Sequence, residues 1–190
     1  MLACIFITAL LFGGYKYWEY SKLIPVGISS DLSKNENYEI INEKLKESGF
    51  TDIDSTPLYD LDFESRENEG QVDRIIISGE DSFSSETKFP YDTRVVIEYH
   101  SIKRETFPLS AKAVKGMQYQ EVIQLLDEIG FGNVNLIIDY DLITGWINQE
   151  GEIESITIDG NDSFKENNTF PVDVLIEIVY HDYRKNNPGT

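Results

Sequence analysis

Apolar and polar positions along this chain follow one pattern written twice. Val95, Ile97 and Tyr99 alternate with less apolar neighbours, and Ile176, Ile178 and Tyr180 repeat that alternation. A period of two marks a strand with one packed face and one solvated face. This predicts closing strands over residues 93–100 and 174–181. Val72, Ile75 and Ile77 match Ile153, Ile156 and Ile158, and predict strands over 71–78 and 152–159. Earlier strands are expected over 51–60 and 133–143. Extended opening segments are expected over 23–28 and 106–111, where Pro25 and Pro108 suit an edge strand. A helix lies between the opening segment and the first of these strands. Its apolar stripe is Ile40, Ile41 and Leu45 in one copy, and Val122, Ile123, Leu125, Leu126 and Ile129 in the other. Asn35 or Asn37 is the N-cap of the first helix. Both helices stop at a glycine, Gly49 and Gly130, which takes the left-handed conformation without steric cost. Phe50 and Phe131 follow, placed to pack back on the last turn.

The two readings are one pattern because the copies align without a gap. Gly49-Phe50 and Gly130-Phe131, Glu69-Gly70 and Glu150-Gly151, Asp81-Ser82-Phe83 and Asp162-Ser163-Phe164 all stand 81 positions apart. So do Phe89-Pro90 and Phe170-Pro171, and Tyr99-His100 and Tyr180-His181. A fixed spacing across so many matches is a duplication. The expected fold class is α+β: two tandem β-α-β-β-β modules, each with one helix on a small antiparallel sheet, after an N-terminal hydrophobic helix. The expected boundaries are 1–21 for a membrane anchor, 22–101 and 102–182 for the modules, and 183–190 for a polar tail.

The anchor expectation rests on residues 2–14, which carry no charge, followed by Tyr15, Lys16, Tyr17, Trp18 and Tyr20. Aromatics and lysines beside an apolar run form an interfacial belt. The run is shorter than the about 20 residues of a full span, unless Tyr15 to Tyr20 sit within the interface or the anchor is truncated. Cys4, in that run, is the only cysteine. The modules therefore hold no disulfide and no cysteine-based metal site.

Charge narrows the partners. The chain carries 34 acidic against 16 basic side chains, a formal net charge of −18. Such a surface repels phosphate backbones, which excludes nucleic acid. Neutral or cationic ligands, basic proteins and divalent cations remain. No catalytic set stands out: G-x-S-x-G, H-E-x-x-H and phosphate-loop motifs are absent from the sequence. The two histidines, His100 and His181, occupy equivalent places, which points to a structural role. The carboxylates Asp60, Asp62 and Glu64 lack calcium-loop spacing and read as a solvated loop. No catalytic residue, metal or cofactor is expected. The candidate ligand-binding residues are three aromatics. Trp146 stands in a loop where the first copy has Ser65, and tryptophan is enriched at binding hot spots. Phe83 and Phe164 occupy the loop before the last strand in each copy, with Phe89 and Phe170, where the first expectation is a small core beneath the loop.

The order of features resembles the PASTA repeat of bacterial cell-wall proteins. A helix closes on Gly-Phe, a loop ends in Glu-Gly, and the final strand reads Val-x-Ile-x-Tyr. Residues Leu142-Ile143-Thr144-Gly145-Trp146, Glu150-Gly151-Glu152-Ile153 and Ile156-Thr157-Ile158-Asp159-Gly160 are similar to PASTA-like modules of Firmicute membrane proteins. The resemblance covers residues 23–182. It implies a single-pass protein of the Gram-positive cell membrane with its modules outside the cell. It also implies recognition of peptidoglycan fragments. The alternative is a protein-protein scaffold or spacer that holds a partner site away from the membrane. No kinase or transpeptidase domain accompanies the modules. The loop 81–89 is longer than the family's and lacks its Pro-x-x-Gly.

Overall fold

The computed structural model describes residues 23–188, so the predicted anchor, residues 1–21, lies outside the described residues. Among the described residues no helix is long and apolar enough to cross a membrane. The chain forms two compact units. Unit one holds the described residues up to Leu58 together with Gly70–His100, and unit two holds Tyr59–Glu69 with the described residues from Ser101 onward. The loop 59–69, part of the first repeat in sequence, thus folds with the second unit.

Unit one begins with β1 (Leu23–Pro25), a short helix α1 (Ser30–Ser33) and the main helix α2 (Tyr38–Ser48). Strands β2 (Ile53–Pro57), β3 (Val72–Ile77), β4 (Lys88–Pro90) and β5 (Val95–Tyr99) follow. Unit two repeats the order with β6 (Arg104–Phe107), α3 (Ala111–Val114) and α4 (Tyr119–Ile129). Its remaining strands are β7 (Val134–Leu142), β8 (Ile153–Ile158), β9 (Asn168–Pro171) and β10 (Ile176–Tyr183). The Asn37 side chain accepts the Glu39 N–H and caps α2, whereas Gln118 makes no side-chain cap at the start of α4. Both main helices end as the sequence predicts. Gly49 and Gly130 sit at φ 106° and 105°, and the Phe50 and Phe131 N–H groups donate to the Leu45 and Leu126 carbonyls. This is the Schellman closure, which only glycine enters freely.

The sheets depart from the expected antiparallel arrangement. The main sheet of each unit is mixed, in the order β2-β5-β3 and β7-β10-β8. β2 runs parallel to β5 and β7 parallel to β10, while β3 and β8 pair antiparallel to the same central strands. The last strand is central, and its Val95, Ile97, Ile176 and Ile178 are fully buried. It pairs on both sides, and the two earlier strands become its edges. The opening strand lies outside this sheet. β1 pairs with β4 and β6 with β9, in separate two-stranded ladders. α1 and α3 are also additions to the predicted order. They are one turn long and carry no amphipathic period to read.

Each unit has its own core. Ile41 and Leu45 of α2 pack with Val72, Ile75, Ile77 and Val95; Val122 and Leu126 of α4 pack with Ile153, Ile156, Ile158 and Ile176. Fully burying each such side chain is worth about 1.5–3 kcal/mol. At the start of each helix a tyrosine stacks on the end of the central strand. Tyr38 lies 3.9 Å from Tyr99 and Tyr119 lies 4.1 Å from Tyr180, centroid to centroid.

Candidate functional site

The three aromatics singled out in the sequence have different fates. Phe83 and Phe164 are 8% and 3% exposed and belong to the two cores. Phe164 packs against Phe107 and Phe170. They seal the space under the loops and present no face to a ligand, because the loops fold back over α1 and α3. The Ser30 N–H and hydroxyl both donate to the Phe83 carbonyl, and the Ala111 N–H donates to the Phe164 carbonyl. Trp146 is 91% exposed. The three residues are therefore not brought together, and only Trp146 stands at the surface.

Trp146 sits in the loop between β7 and β8. From Leu142 to Gln149 this loop has no charged residue, in a chain where 26% of residues are charged. Ile143 and Ile147 beside it are 72% and 95% exposed. Two shallow cavities flank them. One of about 250 Å³ is bounded by the loop itself from Asp141 to Asn148. The other, about 400 Å³, lies between Leu142, Ile143, Tyr183, Arg184 and Lys185. Arg184 and Lys185 bring positive charge to the rim, and the Lys185 ammonium lies 5.0 Å from the centre of the Tyr183 ring. Gly145, at φ 66°, turns the loop against the Tyr183 hydroxyl, which would stand 2.7 Å from a Cβ at that position.

A buried imidazole fastens both ends of the loop. His181, on β10, is 7% exposed. Its Nδ1 lies 2.9 Å from Asp141 Oδ1 and its Nε2 lies 3.0 Å from Asn148 Nδ2. A carboxylate only accepts, so Nδ1 carries a proton; an amide nitrogen only donates, so Nε2 offers its lone pair. Both ring nitrogens are satisfied. These two bonds give His181 a structural role.

His181 also has acidic neighbours. One oxygen each of Asp139 and Glu154 and one imidazole nitrogen lie within 4.8 Å of one another. Asp139 is the register partner of His181 on β7, and Glu154 falls at the irregularity between β8 and β10, where a bulge re-aims its side chain. Imidazole with two carboxylates is a donor set that suits a divalent transition metal, but a metal here would have to displace Asp141 or Asn148 from its ring nitrogen. The sequence did not reveal it, because the three residues meet only through the strand order. The first repeat has Leu58 in place of Asp139, so the set is incomplete there.

Nearby, burial pushes the Tyr180 phenol above its ordinary value of 10.0, with the stacked Tyr119 adding to the shift. In the loop 59–69, Asp62 accepts from the Ser65 hydroxyl and N–H, which lower its carboxyl below the ordinary value.

No protein-family model and no curated protein matches the chain. Among solved structures it is similar to the entire extracellular region of the Ser/Thr kinase PrkC from Staphylococcus aureus. That match has 13% identity and a TM-score of 0.38, and covers 78% of this chain and 45% of that one. It is also similar to the three-PASTA-domain region of a Ser/Thr kinase from Staphylococcus aureus. There the identity is 12% and the TM-score 0.35, covering 86% of this chain and 66% of the other. The chain thus spans less than two thirds of the length of each.

Proposed function

We propose that this chain is a membrane-anchored binding protein of the Gram-positive cell exterior. Its second unit recognises peptidoglycan-type wall material through the Trp146 loop, without catalysis. Residues 1–21 serve as the single-pass anchor. The observation that carries this reading is the exposure of Trp146 between two exposed isoleucines in an uncharged loop. The apolar face of a sugar ring can lie on the indole without any charge being desolvated, and tryptophan concentrates binding energy where it does so. A net charge of −18 disfavours polyanionic wall polymers, whereas a glycan face is neutral. Arg184 and Lys185 stand at the rim to meet the carboxylates of a peptide-bearing glycan. The PASTA-like order of features in the sequence supports the same ligand class.

The test is retention of the full chain on purified Gram-positive peptidoglycan at low and high salt. Retention that survives high salt and falls about tenfold or more in Trp146→Ala supports the proposal, since hot-spot truncations cost at least about 2 kcal/mol. No retention removes the wall ligand and leaves the protein-protein scaffold as the better account. Retention abolished by salt and unaffected by Trp146→Ala would place binding on surface charge instead.

A further inference from the structure

The two units differ most in their outer edge strands. β2 and β7 occupy equivalent places, each paired among the described residues only with the central strand of its sheet. Their sequences have diverged. Ser55, Thr56 and Pro57 in β2 correspond to Leu136, Ile137 and Ile138 in β7. Leu136 and Ile137 are each 40% exposed and Ile138 is 38% exposed. Proline and polar residues guard an edge against pairing, and β2 has both. At Leu136–Ile138 β7 has neither, and at nine residues it is also longer than β2 with five. A long apolar edge is a template for another strand.

From this we infer that β7 is a self-association edge. Two copies of the chain pair through antiparallel β7 strands about a two-fold axis at Ile137. The backbone sets the phase. The Asn133 carbonyl accepts from the Ile176 N–H and so points into the sheet. Along a strand the peptide groups alternate, so those of Val134, Leu136, Ile138 and Tyr140 point outward. In the pairing centred on Ile137, Leu136 of one copy exchanges both backbone bonds with Ile138 of the other. Val134 does the same with Tyr140. Every outward group in this stretch meets another outward group.

The side chains select the same register. Asp139 of one copy stands opposite Asn135 of the other, a carboxylate facing an amide, and no two like charges are opposed. The three apolar residues face one another. Moving the axis to Ile138 sets Ile137 opposite Asp139, and moving it to Leu136 sets Ile137 opposite Asn135. Leu136 and Ile138 register with Ile178 and Tyr180 of β10 and share their face of the sheet. Cross-copy pairs of these residues therefore extend the apolar face that already begins at the buried Ile178. Unit one is the internal control, since the same strand in the same fold carries a proline at the position of Ile138.

The experiment uses the full chain in detergent, which covers its N-terminal apolar run, with Cys4→Ser to remove the native thiol. Ile137→Cys places two cysteines across the axis at a non-hydrogen-bonded site. There the Cα separation of about 4.5 Å falls within disulfide reach. Oxidation is expected to yield a covalent dimer, and Thr56→Cys, the equivalent change in β2, is expected to yield no covalent dimer. Ile138→Pro copies Pro57 and removes only an outward N–H, so the ladder to β10 keeps all its bonds. Sedimentation is expected to show a dimer for the unsubstituted chain and a monomer for Ile138→Pro. A monomeric unsubstituted chain at the highest soluble concentration overturns the proposal. So does a dimer that persists in Ile138→Pro, because association then runs through another surface. Neither readout involves glycan, so the result stands apart from the ligand proposed for Trp146.

Discussion

The loop 59–69 and the loop 140–150 hold the same place in the repeat and meet opposite fates. In the first, Leu61 is buried and bridges to Ile102, exchanging backbone bonds with Ser101 and Lys103. Phe63 then lies over Gly132, just past the end of α4, and the Arg66 guanidinium covers the ring at 4.0 Å. In the second, Leu142 is buried in the same way and pairs with Tyr183, but Ile143, Trp146 and Ile147 point to solvent. The anchoring leucine is common to both, and the residues after it differ. After its leucine the first loop carries Asp62, Glu64, Arg66, Glu67 and Glu69 around its docked phenylalanine, whereas the second is uncharged from Leu142 to Gln149 and open. A duplicated loop has become a packing element in one copy and an exposed apolar surface in the other. This contrast, with that between β2 and β7, makes the second unit the one equipped for contacts.

The comparison can be broken or sharpened by substitution. The largest effect is expected where the two units are alike. Leu45→Ala and Leu126→Ala, at equivalent fully buried positions, should each cost about 2–5 kcal/mol, read from the denaturant midpoint. A cost below about 1 kcal/mol in either would show that one helix does not anchor its core.

Next is Gly132. A Cβ there would overlap the Phe63 ring, whereas the first repeat has Thr51 at this position. Gly132→Ala should cost about 1–3 kcal/mol by overpacking. The same change in a Phe63→Ala background should cost much less. Equal costs in both backgrounds would mean that Phe63 does not dock on Gly132.

A pH effect should follow from Tyr180. Its phenol titrates higher in the folded chain than in the unfolded one, so folding favours the neutral form. That contribution is whole below pH 10.0, the unfolded value, and fades as pH rises through the folded value. Stability should fall above pH 10.0 more steeply than in Tyr180→Phe. Identical alkaline profiles would count against it.

The smallest effect on stability is expected at Trp146. Trp146→Ser copies Ser65 and should leave the midpoint within about 0.5 kcal/mol, because the side chain touches solvent on most of its surface. A loss of a few kcal/mol would show that the indole covers its own sheet and is unavailable to a ligand.

The sequence alone determined the duplication, the place and end of each main helix, and the inward faces of the strands. These are local or periodic properties. A left-handed glycine followed by phenylalanine closes a helix wherever it occurs, and alternation marks a buried face whatever strand lies beside it. Trp146 was legible as the residue that breaks the symmetry of the repeats. Tertiary structure decided the rest. Which strand lies at the centre depends on pairing between segments far apart, so the parallel β2-β5 and β7-β10 pairs could not be read from either partner alone. The short ladders β1-β4 and β6-β9 arise because the loop carrying Phe83 or Phe164 folds back on the opening segment. Burial of those phenylalanines follows from that return. The approach of Asp139, Glu154 and His181 needs three neighbouring strands in one order, and the exposure of β7 needs the knowledge that it is an edge. Periodicity reports how a segment faces its core; only the assembled sheet says which segment is its neighbour.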